Sequence, residues 1–98
     1  MKLRDFDEVL FKELQDPEFA VAYLTDAIEE PADLPGLLLA IRHVIEARGG
    51  IGKFADQMGS LNRVSIYKAL SENGNPLFST VVEVLDSLGI GLKPYIRN

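Results

Sequence analysis

The sequence predicts an all-α domain of five or six helices. Residues 51–70 form a helix-turn-helix within it, with additional helices before and a short extended tail after. Three observations predict this. Apolar residues recur at intervals of three and four along most of the chain, the period of an amphipathic helix. Proline or glycine punctuates the periodic stretches, at Pro17, Pro31, Gly49, Gly59 and Gly89. And residues 53–70, KFADQMGSLNRVSIYKAL, hold two short helical patterns back to back across a glycine.

The first apolar stripe is Phe6, Val9, Leu10 and Leu14, with Asp5 as its expected cap. DPEF then restarts the chain. Asp16 is an N-cap, Pro17 suits the first helical position, and Glu18 lies at the positive end of the dipole. Ala20, Leu24, Ala27 and Ile28 follow on one stripe, flanked by Phe19 and Tyr23. Pro31 closes this helix, because the residue before a proline is pushed out of the helical region. A third helix starts at Asp33, with Pro35 in its first turn. Leu34, Leu37, Leu38, Ile41, Val44 and Ile45 give it an apolar face broad enough for the centre of a bundle. Arg48 and Gly49 mark its end. His43, the single histidine, has no second ligand one turn away and reads as a partly buried structural residue.

In residues 53–70, Gly52 is the expected cap of a short helix whose Phe54, Ala55 and Met58 point inward, Ala55 being small enough for another helix to approach. Gly59 supplies the turn, Leu61 returns to the core, and Asn62 caps a second helix. In that helix Ile66, Ala69 and Leu70 share one face, leaving Arg63, Val64, Ser65, Tyr67 and Lys68 outside. A helical hairpin with no ligand is the plain alternative. Against it stand a narrow apolar side, outward cations, and a helix start whose free N–H groups favour phosphate. An arginine there can grip guanine bidentately, and Lys68 can reach a base edge or a phosphate. Beyond it, the loop SENGNP exposes Asn73 and Asn75, either as phosphate donors or as an ordinary turn with glycine at positive φ. Ser79 is the expected cap of a last helix carrying Val81, Val82, Val84, Leu85 and Leu88. Valine has poor helix propensity, so packing must hold it. The tail GIGLKPYIRN is extended; it pairs with its twin across a dimer or covers the core.

Composition bounds the function. The 98 residues suit one domain, 47% apolar and 26% charged. No apolar run reaches a membrane span, and the N-terminus is too charged for a secretory signal. Cysteine is absent, which fits a reducing cytoplasm and excludes thiolate ligands. With no His pair and no nucleotide-binding glycine loop, nothing points to an enzyme, a metal or a cofactor. The net charge of −5 is unevenly distributed. Residues 1–35 hold three Lys/Arg against ten Asp/Glu, whereas residues 36–70 hold five against two. A domain split in this way suits two partners of opposite sign, though a solvated charged face is an equal reading.

FAxxMG followed by LNRVSIYKALSxxGNP, then a Val/Leu-rich helix ending LGIGL, resembles the addiction-module antidote proteins. These are small HigA-like antitoxins of bacterial type II toxin–antitoxin pairs, with a lambda-repressor-like or Cro-type helix-turn-helix. DPEFAVAYLTDAIEE and LLLAIRHVIEARGG match the same family, so the resemblance runs from about residue 12 to 92. One departure is the turn, where Ser60 stands between Gly59 and Leu61 and lengthens it by a residue; this bears on the rotation of the second helix. The resemblance implies a transcriptional autoregulator that neutralises a small, basic, RelE- or ParE-like toxin. It implies DNA contacts from Lys53, Asn62, Arg63, Val64, Ser65, Tyr67 and Lys68, with Asn73 and Asn75 beside them. The expected partners are operator DNA, the cognate toxin and a second copy of the chain as a homodimer. The acidic segment, 1–32, is the expected toxin side, packed as one unit with the DNA-binding part, 33–98. A stand-alone DNA-binding regulator, or a protein-binding module on the same scaffold, shares these features.

Overall fold

The computed structural model describes residues 3–29, 33–58 and 63–96, with side chains for 8–29, 33–57 and 64–96. Among the described residues there are six helices and no strand: α1 (Leu3–Leu14), α2 (Pro17–Glu29), α3 (Leu34–Ala47), α4 (Ile51–Met58), α5 (Arg63–Ala69) and α6 (Phe78–Ser87). The all-α expectation is met. Helix α3 is the axis of the bundle. Leu38, Ala40, Ile41, Val44, Ile45 and Ala47 are all buried along it, and α1, α2 and α4 pack on it. One core unites the chain from end to end, running from Leu14 through Ala20 and Leu24 to Phe54, Ala55, Ile66 and Leu70, and on to Val81, Val84, Leu85 and Leu88. None of the helices is long and apolar enough to cross a membrane among the residues described.

The helix starts divide into expected and unexpected ones. Asp16 accepts from the Glu18 amide at 3.2 Å, and Asp33 accepts from the Gly36 amide at 2.6 Å, so both cap as their sequences predict. Three expected caps are corrected. Asp5 lies inside α1, which already runs from Leu3. Gly52 lies inside α4, where the Phe54 amide bonds the carbonyl of Gly50, so the chain enters the helix two residues earlier. Ser79 lies inside α6, whose N-cap is Leu77 with extended backbone and no capping side chain. The last two depart for one reason: the preceding segments, Gly49–Gly50 and the chain around Pro76, bring the backbone into line for a helix before the polar residue arrives.

Helices α3 and α6 end alike. The Gly49 amide bonds Glu46 O and the Gly50 amide bonds Ile45 O; likewise Gly89 bonds Asp86 O and Ile90 bonds Leu85 O. This is a Schellman closure, and it needs a left-handed residue where Gly49 (φ 117°) and Gly89 (φ 78°) stand. At the second closure Ile90 packs back on the core. Helix α6, with its weak propensity, is held as expected, by burial of Val81, Val84, Leu85 and Leu88, while Val82 is 39% exposed.

The apolar faces of α1 and α2 meet α3 through Leu14, Ala20 and Leu24, with Phe11, Phe19 and Tyr23 half-buried around them. The Tyr23 hydroxyl lies 2.6 Å from His43 Nδ1, and burial pushes the Tyr23 phenol above its ordinary range. The lone histidine is therefore a partly buried structural residue, ringed by Phe11 and Tyr23. Among the described residues no group of acids and histidine is placed to hold a metal.

Ala55 is 3% exposed on α4, which packs on both α3 and α5. Ala55→Leu should overpack this junction and cost about 1–3 kcal/mol. The melting temperature should then fall by roughly 4–8 °C for each kcal/mol. An unchanged melting temperature would show that the helices do not cross closely there.

Candidate nucleic-acid interface

Helices α4 and α5 pack against each other, and the burial pattern of α5 settles which way it faces. Ile66 and Leu70 are each 1% exposed, and Ala69 is half-buried between them. That pins the helix by its narrow apolar side. Val64 (72% exposed), Ser65 and Lys68 are consequently turned outward. Gly59, Ser60, Leu61 and Asn62, the expected turn, pin and cap, lie outside the described residues, as does the side chain of Arg63, whose backbone opens α5.

Lys53 is exposed on α4, and its aliphatic chain lies back over Gly49, where a Cβ would come within 3.0 Å of Lys53 Cδ. Tyr67 is 46% exposed. Its hydroxyl stands 3.8 Å from where a Cβ on Gly52 would be, so the ring leans over the first turn of α4. A Cβ on Gly52 would only touch that hydroxyl at ordinary contact distance, so the ring does not itself require glycine there. Tyr67 also borders a cavity of about 440 Å³ on the α3 side, with Arg42, His43 and Glu46.

Lys68 belongs to a different depression, of about 530 Å³, that it shares with Ser71, Asn73 and Asn75. The structure thus brings Lys68 together with the loop asparagines and sets Tyr67 apart from them. The loop is held by local bonds: the Ser71 hydroxyl donates to Lys68 O at 2.9 Å, and the Gly74 amide to Ser71 O at 2.9 Å. Gly74 is not at positive φ, contrary to the expected turn geometry. It is glycine because a Cβ there would lie 2.3 Å from the carbonyl oxygen of Ala69. Close approach to the end of α5, not backbone handedness, fixes the residue.

Two cations of the net-positive third work inside the protein. Arg42 donates through Nη1 to the carbonyl of Leu70, tying the end of α5 to α3. Arg48 donates to Leu88 O at 2.6 Å, tying the end of α3 to the end of α6. Both are half-buried and satisfy carbonyls that helix ends leave over. Arg48 in a last turn carried a hint of this in the sequence; Arg42, whose partner is 28 residues away, carried none. Of the five basic residues of that third, Lys53 and Lys68 are exposed, and the side chain of Arg63 lies outside the described residues.

Residues 2–96 match the family model described as "Probable addiction module antidote protein". The chain belongs to this family. It is also similar to an uncharacterised protein of Haemophilus influenzae, 33% identical over 89 residues, which are 91% of this chain and 87% of the relative. No solved structure matches. The antidote family places the chain on the antitoxin side of an addiction module, and so implies a toxin as its partner.

Proposed function

We propose that this antidote protein neutralises a small, basic, RelE- or ParE-like toxin by direct binding, and represses its own operon through a lambda-repressor-like, HigA-type helix-turn-helix formed by α4 and α5. The observation that carries the DNA half is the orientation of α5. Burial of Ile66 and Leu70 turns Val64, Ser65 and Lys68 outward beside the exposed Lys53 of α4. Arg63 opens that helix, and Asn62 precedes it in the sequence. Lys68, Asn73 and Asn75 would hold phosphate, while Arg63, with Val64 and Ser65, would read base edges. Tyr67, leaning on α4, would steady the helix and touch DNA with its outer edge. With so few free cations one copy binds weakly, so a homodimer on a two-fold operator, or a complex with the basic toxin, supplies the affinity. The acidic segment, 1–32, is the natural side for a basic toxin.

Operator titration at several salt concentrations, beside a scrambled duplex, tests this reading. Arg63→Ala should cost about 1–3 kcal/mol with relaxed preference at one base. Lys68→Ala should weaken all sequences alike and lower the salt slope by about one. Neither should move stability by more than about 0.5 kcal/mol. Full operator affinity in both variants would show that α5 does not read DNA.

A further inference from the structure

Three depressions that share Ile28 and Leu37 merge into a single apolar groove, lined by none of the described residues of α4 or α5. Under the tail it encloses about 430 Å³ between α2, α6 and residues 90–95. From there it runs past Leu92 to the start of α6. Its apolar side chains are open to solvent: Ile28 is 39% exposed, Leu92 44% and Phe78 73%, with Leu77 beside it at 74%. Apolar surface gathered in this way marks a docking site, where scattered residues would not. The tail is a formed wall of the groove, because the Tyr95 hydroxyl donates to the Glu29 carboxylate and ties it across α2.

Charge says what the groove takes. Helix α3 reaches the groove through Leu34 and Leu37; α2 and α6, which also line it, carry Glu18, Asp26, Glu29, Glu83 and Asp86 and no lysine or arginine, and Glu29 and Asp33 are the carboxylates in the lining itself. Lys93 of the tail is the one cation lining the groove among the described residues. A second copy docked here about a two-fold axis would set the carboxylates of α2 and α6 against their own equivalents. We propose that this groove is the toxin-docking site. It takes a segment of the toxin with two or three large apolar side chains flanked by lysine or arginine. This rests on the antitoxin reading above and adds the surface and the chemistry of its partner. Apolar anchors supply the affinity, and the carboxylates steer the basic partner, so association slows as salt rises.

The test is calorimetric titration of the full-length protein with the protein encoded beside it. Phe78→Asp puts an acid in the first turn of α6, where the dipole favours it, and Leu92→Lys lies in the irregular tail, where no helix is at stake. Each should weaken binding by about 30-fold or more, the loss expected of a central anchor. Operator affinity and melting temperature should stay those of the wild type, and Val64→Asp on α5 should leave the toxin affinity unchanged. If the wild type binds its neighbour and both groove variants bind equally well, the groove is wrong and the antitoxin reading stands. If the wild type does not bind it, both fall. A change in oligomeric state by sedimentation, with toxin affinity intact, would assign the groove to a second copy and overturn the proposal.

Discussion

Deleting residues 1–32 should abolish cooperative folding. The charge boundary near residue 32 is not a boundary of packing, since Leu14 and Ala20 are fully buried and Leu24 is 3% exposed in the core they share with α3. Leu10, Phe11, Phe19 and Tyr23 cover the same helix from α1 and α2. Burying one large apolar side chain contributes about 1.5–3 kcal/mol. The lost contacts therefore rival the whole net stability of a domain, about 5–15 kcal/mol. Circular dichroism with heating should show no sharp transition in the truncated chain, and operator binding should be lost with it. A truncated protein that melts cooperatively would show that α3–α6 form a core of their own. The acidic surface is then better probed by single charge changes in the full chain than by removing the helices.

Ile66→Ala should be the most damaging single change within α4 and α5. Ile66 is 1% exposed and, with Leu70, anchors a helix of only seven residues. So short a helix has little stability of its own. Truncating a buried isoleucine costs about 2–5 kcal/mol, through lost transfer energy and the cavity left behind. The effect should appear in two measurements at once, a lower denaturant midpoint and weaker operator binding, because the same residue holds the helix and sets its outward face. Val64→Ala, two residues earlier on the 72% exposed side, should leave stability within about 0.5 kcal/mol. Equal stability losses at the two positions would mean that α5 is not oriented as described.

Much of the fold was legible because it depends on local signals. Asp16 and Asp33 cap, Pro17 and Pro35 enter first turns, and Gly49 and Gly89 close helices at positive φ. Each of these is decided within four or five residues by hydrogen-bond geometry. The expected caps at Gly52 and Ser79 failed because the chain before them was already aligned for a helix, which a residue preference does not record. Gly74 was rightly marked as a turn residue but for the wrong reason, since its constraint is the Ala69 carbonyl pressed against it. At the interface, the outward set Val64, Ser65 and Lys68 follows directly from the period of Ile66 and Leu70. The separation of Tyr67 from Lys68 and the loop asparagines does not, because it depends on how α5 lies against α3 and α4.

The sequence by itself determined that the chain is helical, where α2 and α3 begin and α3 and α6 end, which side of most helices is apolar, and that charge is divided between an acidic first third and a basic middle. These are properties of spacing and composition, fixed before any helix meets another. Only the tertiary structure decided which charges stay outside. Arg42 and Arg48 are drawn onto the carbonyls of Leu70 and Leu88, 28 and 40 residues away, because helix ends packed against one another leave acceptors that water does not reach freely. It also decided that α2, α6 and the tail leave an open apolar groove between them. A groove exists only where separate elements fail to close on each other, and no single stretch of sequence contains that failure.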